Sequence, residues 1–292
     1  MGSDRLRTPL ALLLVISAFI LAIPTASAAD TETVLLPWVP NGDTTGGLGP
    51  WHGHIEVQNT TDQLCSFQIS VPVESGGWVT LNPYIMGPHQ LSDFSPEDIR
   101  LPAPGGAVKI EATGCTLAVA VKQAAGSFEQ APWSSGATVI TGYTGIPGVD
   151  AASNPDWILP IVQTNNGWDS YLRVSNYDSL NAKNIKVDVF PFHNGGGSGA
   201  PIFTETIAVQ AGHTQTIDML DALDDSGFVG FARVTSDGNI AAMVQREKAS
   251  TGMSMLNVAS SYESGEASIQ SVGPNALQAP IIFNAYNGWN TG

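Results

Sequence analysis

Leu159-Pro160-Ile161-Val162, the Asn166-Gly167 pair, and Trp168-Asp169-Ser170-Tyr171-Leu172-Arg173-Val174-Ser175-Asn176 set an apolar run, a turn and an alternating run end to end. Asn-Gly between two apolar runs predicts a type I′ turn, because both central residues of that turn need positive φ. Upstream, Leu36-Pro37-Trp38-Val39 is followed by a Gly-rich loop and then by Trp51-His52-Gly53-His54-Ile55-Glu56-Val57-Gln58-Asn59. In this second run Trp, Gly, Ile and Val occupy the odd positions and His, His, Glu and Gln the even ones, the period-two rhythm of a half-buried strand. A third opening, Ala279-Pro280-Ile281-Ile282 with Asn287-Gly288-Trp289, precedes Gly292.

Pro37 and Pro160 are 123 residues apart, and Pro160 and Pro280 are 120 apart. That period is the size of a small domain, so the chain reads as a domain array. Alternation continues in Cys65-Ser66-Phe67-Gln68-Ile69-Ser70-Val71 and in Ile185-Lys186-Val187-Asp188-Val189. Val108–Ala112 leading to Leu117–Val121, and Phe231–Val234 leading to Ile240–Val244, read as two β-hairpins. The helical candidate is short, from about Thr216 to Asp224. Strands every ten residues or so with turn-formers between them predict an all-β chain of two tandem antiparallel β-sandwiches, Ig-like in plan. A closed barrel is the alternative. The expected units are 29–150 and 151–278, with 279–292 opening an incomplete third. Those last residues are too few to enclose a core. The chain therefore reads as part of a longer array, with a spare strand free to pair at a sheet edge as the alternative.

Arg5 and Arg7 precede an apolar run fourteen residues long, Leu10–Ile23, and then Pro24 and Ala26-Ser27-Ala28. This is the pattern of a signal peptide cleaved before Ala29, leaving an extracellular or cell-surface protein; a retained anchor is the alternative. No later stretch is apolar enough to insert in a membrane. Cleavage leaves nine basic residues against 25 acidic ones, a net charge of −16. A surface of that sign, without a local Lys/Arg cluster, argues against nucleic-acid partners. Cys65 and Cys115 are an even pair in an exported chain and predict one disulfide, against the alternative of two buried thiols.

Leu-Pro-x-Val, the Asn-Gly-Trp turn, the apolar-x-Val-x-Asn strand and Gly227-Phe228-Val229-Gly230-Phe231-Ala232-Arg233-Val234 resemble tandem repeats in secreted and surface proteins of filamentous and soil bacteria. The resemblance covers the second unit well. In the first, Pro104-Gly105-Gly106-Ala107 stands in place of Gly-Phe-x-Gly. It implies uncharacterised extracellular β-sandwiches and brings no catalytic residues.

Candidate sites follow from residue type and placement. His52, His54 and Glu56 share a strand face, where imidazole and carboxylate can hold zinc or copper, with a solvated strand face as the plainer reading. Asp218, Asp221, Asp224 and Asp225 surround the short helix and are candidates for calcium, although their spacing is not that of an EF-hand and a helix start explains Asp218. No other cofactor is expected. Of seven tryptophans, Trp51, Trp168 and Trp289 recur at one repeat position and read as structural packing. Trp38, Trp78, Trp133 and Trp157 lack that support and are the candidate ligand contacts, with packing as the competing role. Asn59-Thr60-Thr61 fits a glycosylation acceptor or a strand-ending turn.

No Gly-x-Ser-x-Gly elbow or His-Glu-x-x-His is present, and Gly195-Gly196-Gly197-Ser198-Gly199 lacks the Lys of a phosphate loop. The expectation is a non-catalytic spacer or adhesion module that meets other surface proteins or extracellular polysaccharide. Its alternatives are a carbohydrate-binding accessory region of a larger secreted enzyme and an extracellular hydrolase of unfamiliar type.

Overall fold

The computed structural model describes residues 31–126, 137–147, 156–192, 199–258 and 260–262. The signal-peptide residues, the Gly195–Gly199 run up to Ser198, Trp133, Trp289 and the third opening lie outside the described residues. The protein is all-β. Its first half contains β1 (Thr31–Asp43), β2 (Trp51–Asn59), β3 (Cys65–Pro72), β4 (Trp78–Thr80), β5 (Tyr84–Met86), β6 (Leu91–Phe94), β7 (Gly105–Thr113), β8 (Leu117–Gly126), β9 (Ala137–Thr144) and β10 (Ile146–Pro147). The second contains β11 (Asp156–Gln163), β12 (Asp169–Asn176), β13 (Lys183–Pro191), β14 (Phe203–Val209), β15 (Thr214–Asp218), helix α1 (Met219–Leu223), β16 (Val229–Ser236), β17 (Ile240–Lys248), β18 (Met253–Val258) and β19 (Ser260–Tyr262).

Every described pairing is antiparallel, and one order of pairings occurs twice. In the first half one layer runs β4-β3-β7-β1, with β5 beside β3 and β10 beside β1, and the other runs β6-β2-β8-β9. The second half runs β14-β13-β16-β11-β19 and β15-β12-β17-β18. β1 belongs to both layers of its half: most of it pairs with β7, while Asn41 and Asp43 pair with β2.

The Leu-Pro-x-Val motif is a β-bulge in both halves. Leu36 faces Val108 and Val39 faces Gly106, so three steps on β1 match two on β7. Leu159 faces Ala232 and Val162 faces Gly230 in the same way. Proline has no N–H to give a ladder, and a bulge is where a strand tolerates it. The partner opposite the bulge is glycine for lack of space: a Cβ on Gly230 would run into the Phe190 carbonyl. This register makes Gly106 the counterpart of Gly230, which moves the sequence alignment by one residue and sets 103–106 against Gly-Phe-x-Gly.

Asn166 and Gly167 have φ of 55° and 76°, and the Trp168 N–H donates to the Asn165 carbonyl at 3.0 Å, as the Asn-Gly pair predicts. The turn joins strands in opposite layers, however. The two expected hairpins are corrected for the same reason: β7 and β8 lie in different layers, as do β16 and β17. A period of two specifies which side chains turn inward, and inward-facing strands satisfy it equally from one layer or from two.

Both alternating strands end on an asparagine with one task. The fully buried Asn59 amide donates to the carbonyls of Gln63 and Gly87, and its oxygen accepts from Thr61 N. Asn176 donates to Asn181 and Val209 and accepts from Asp178 N. Asn59 is therefore a loop organiser, and its burial is incompatible with carrying a glycan.

Two apolar cores lie between the layers. Leu36, Ile55, Phe67, Ile69 and Ile110 belong to the first, and Trp157, Leu172, Ile185, Val187 and Val244 to the second. They interlock: Met243 of the second half packs in the first core, and Leu35, Ala107 and Ile146 of the first half pack in the second.

Cys65, at the start of β3, and Cys115, in the turn after β7, form a disulfide with 5.4 Å between their Cα atoms. It closes a span of 50 residues. Changing both cysteines to alanine is expected to lower the unfolding free energy by about 4 kcal/mol on the chain-entropy account, read from urea unfolding with the oxidised parent as reference.

Candidate functional site

The densest polar chemistry is at the junction of the two halves. On β12, Leu172 and Val174 turn into the second core, so alternation turns Tyr171, Arg173 and Ser175 outward. On β17 the corresponding outward residues are Met243, Gln245 and Glu247. The first half covers this face. Arg173 has 0% exposure, and its Nη2 donates to Asp43 Oδ2 at 2.5 Å while Nη1 donates to Gln245 Oε1 at 2.5 Å. Its guanidinium lies 4.7 Å from the centre of the Trp38 ring, and Trp38 Nε1 donates to the same Asp43 oxygen. Glu247 accepts from Trp51 Nε1 at 2.7 Å, from Gln245 Nε2 at 2.6 Å and from Leu48 N at 3.2 Å. Ser175 Oγ donates to the Pro37 carbonyl inside the bulge.

Burial dominates the electrostatics. It lowers the Arg173 pKa, opposed by Asp43 and Glu247. It raises that of Glu247, opposed by the donors on Leu48, Trp51 and Gln245 and by Arg173. It also raises the Tyr143 hydroxyl, which donates to the Trp38 carbonyl at 2.5 Å. A second contact zone lies further along. There Trp78 stacks on Tyr177 with ring centres 5.3 Å apart and donates to the Asp178 carbonyl, and Gly77 N donates to Ala211 O at 2.7 Å.

Beside the junction is a cleft of about 240 Å³, lined from both halves by Trp38, Glu74, Pro104, His213 and Thr214 among others. The His213 Nδ1 lies 3.1 Å from the Ala211 carbonyl.

The sequence candidates are distributed differently. His52, His54 and Glu56 share the outer face of β2, as alternation requires, but each has its own environment. Glu56 is ion-paired with Lys122, and His54 Nδ1 lies 3.3 Å from Asp93. Burial holds His52 below its ordinary pKa, with Glu97 pulling the other way. A lysine seated on the carboxylate replaces the cation a metal would supply.

The aspartates act on the backbone. Asp218 caps α1 by accepting from Leu220 N and Asp221 N, and Asp224 is the left-handed residue that ends the helix. Asp225 accepts from Gly227 N at 2.7 Å, which leaves Asp221 alone in the first turn. Among the described residues no group of three or more His, Cys, Asp or Glu is placed to hold a metal ion.

Three of the four aromatic candidates make packing contacts. Trp157 is 2% exposed in the second core, Trp38 is 6% exposed over Arg173, and Trp78 bridges the halves. Trp51, which opens β2, and Trp168, just before β12, correspond in position but differ in setting: Trp51 is fully buried under Glu247, and Trp168 is partly exposed, with the Arg246 guanidinium 5.6 Å from its ring.

Sequence reading missed Arg173, Asp43, Glu247 and Tyr143. The available signal was an arginine and a glutamate at outward positions of strands so apolar that both faces had to be covered. No helix among the described residues is long and apolar enough to cross a membrane. No known family model matches the chain, and no curated protein is similar to it in sequence.

Removing one member of a buried ion pair strands the other. Arg173→Met is therefore expected to cost about 3–5 kcal/mol in urea unfolding, and the double variant Arg173→Met with Asp43→Asn less than the two single losses combined. Glu247 binds a proton more tightly folded than unfolded, so this group adds stability as pH falls and takes it away as pH rises through its raised pKa. Between neutrality and the ordinary value of 4.5, the parent should gain stability relative to Glu247→Gln as the solution is acidified, measured as the difference between their unfolding midpoints.

Proposed function

We propose that this is an exported, non-catalytic structural and contact module in which tandem β-sandwiches form a stiff spacer at or beyond the cell surface, the setting of the uncharacterised bacterial repeats its motifs resemble. The observation that carries the reading is the junction: Arg173, Asp43 and Glu247, each 2% exposed or less, join one sandwich to the next. A hinge between domains is normally a polar, modest interface across which relative motion is the default. Here separation would expose Arg173, Asp43 and Glu247 with their hydrogen bonds broken, together with Met243, Leu35 and Ala107. Two sandwiches that cannot swing hold whatever they carry at a set distance and angle.

Further support comes from the tasks of the candidate chemical groups. Asp218 and Asp225 organise backbone, Glu56 is paired with a lysine, and three of the four ligand-candidate tryptophans make packing contacts. The twofold occurrence of the strand order, the bulge and the buried asparagine supports a tandem array. The signal-like first 28 residues and the Cys65–Cys115 bridge support an oxidising, extracellular setting.

The test is ¹⁵N relaxation on the protein beginning at Ala29. One rotational correlation time is expected for β1–β10 and β11–β19 together, and two well-separated values would defeat the spacer reading. Turnover of ester, glycoside or peptide substrates above that of a heat-denatured control would defeat the non-catalytic reading.

A further inference from the structure

Strand register gives the junction residues of the first half counterparts in the second. Leu35, Ala107 and Trp51 are each fully buried, the first two in the core of the second half and the third under its Glu247. The corresponding positions are Ile158, Phe231 and Trp168, and all three are partly exposed. The surface by which the first half holds the second is thus built again on the second half, with no occupant among the described residues.

Its chemistry resembles that of the occupied copy. Around Phe231, the outer face of β13 and β16 is aromatic: Phe190 stacks on it with centres 5.0 Å apart, and Phe192, 53% exposed, lies at 6.0 Å. At Trp168, Arg246 donates to Gln163 Oε1 and Asn257 Oδ1. Arg246 is 5% exposed, its Nε has no hydrogen-bond partner, and among the described residues no carboxylate pairs with it. Burial lowers its pKa, which an acid beside it would counter. In the first half the equivalent indole, Trp51, donates to the carboxylate of Glu247 from the following sandwich. A tryptophan N–H and a buried, unpaired guanidinium stand where a carboxylate belongs.

The opposite end of the molecule differs. The outward face of β12 and β17, which docks on the first half, corresponds to His54, Glu56 and Gln58 on β2 and to Ala120, Lys122 and Ala124 on β8. Four of these six are polar and partly or fully exposed, with Glu56 and Lys122 paired to each other and two small alanines between the polar side chains. A terminal unit of an array carries such a polar face, whereas a face to be covered is apolar.

We propose that Trp168, Arg246, Ile158 and Phe231, with Phe190 and Phe192 beside them, form a docking site for a further β-sandwich of the same kind. That unit places a carboxylate between the Trp168 indole and Arg246 as Glu247 is placed at Trp51. The occupant is the next unit along the chain, whose opening is repeated in Ala279-Pro280-Ile281-Ile282 and Asn287-Gly288-Trp289. The proposal rests on the tandem-array reading and adds a direction to it: docking proceeds from the second half onward.

The experiment extends the chain after Trp289 by a second copy of residues 169–262, which presents another Glu247 carboxylate. The Trp168 indole N–H is expected to shift and to exchange with solvent at least about tenfold more slowly than in the 292-residue chain. Changing the appended Glu247 to Ala should restore fast exchange. A third unit that is folded by circular dichroism yet leaves Trp168 exchange unchanged overturns the proposal. So does concentration-dependent protection of Trp168 in the unextended chain together with a dimer in sedimentation, since the occupant would then be a second copy. If the added unit fails to fold, the unextended chain decides: it should bind a hydrophobic dye, and Phe192→Ser should remove most of that binding without moving the unfolding midpoint. Dye binding indifferent to Phe192 overturns the proposal. Substrate turnover would defeat the non-catalytic reading and leave the Trp168 measurement standing.

Discussion

Arg173 is a guanidinium with no access to water, and the relation between the two halves depends on how that charge is satisfied. Desolvating an arginine is tolerable only when carboxylates and other acceptors are already in place. Its partners come from both sides of the junction: Asp43 and the Trp38 ring from the first half, Gln245 from its own. Glu247 completes the group by holding Trp51 and Leu48 of the first half. Sliding one half over the other breaks several of these at once, because buried polar networks are highly sensitive to partial loss. Apolar interlocking alone would hold the halves together, but it would tolerate many angles; the charged group selects one.

The backbone that delivers these groups begins at the bulge. An extra residue bends and twists a strand. In β1 this happens at Pro37 and Trp38, just before the strand leaves β7 and reaches β2 with Asn41 and Asp43. The bend places Trp38, Asp43 and Trp51 at one end of the sandwich, where a neighbour can meet them. The Pro37 carbonyl accepts from Ser175, so the bulge also contributes directly to the junction. The second half bends at the same place, at Pro160 and Ile161, and brings Trp168 and Arg246 to its own end. The bulge therefore shapes the same end of each half.

Much of the architecture was legible in the residues. Strand alternation, the all-β class, the Asn-Gly turn conformation, the short helix near residue 220 and the Cys65–Cys115 bridge all follow from local chemistry or from the arithmetic of two cysteines. The hairpins did not, since a turn after Ala112 serves a strand that stays in its layer and one that crosses equally well. The candidate sites were the least legible. His52, His54 and Glu56 do share a face, but Lys122 and Asp93, which determine what that face can do, come from β8 and β6.

Sequence by itself determined the class of structure, the inward and outward side chains of each strand, and the matching positions of Trp51 and Trp168, because these depend on interactions within about ten residues and on a period of two. Tertiary structure alone decided which outward faces are covered. Arg173 and Glu56 occupy corresponding strand positions, yet one is sealed and the other is partly open. The difference is that the first half of the chain covers β12, and burial by a partner distant in sequence leaves no local pattern in the strand it covers.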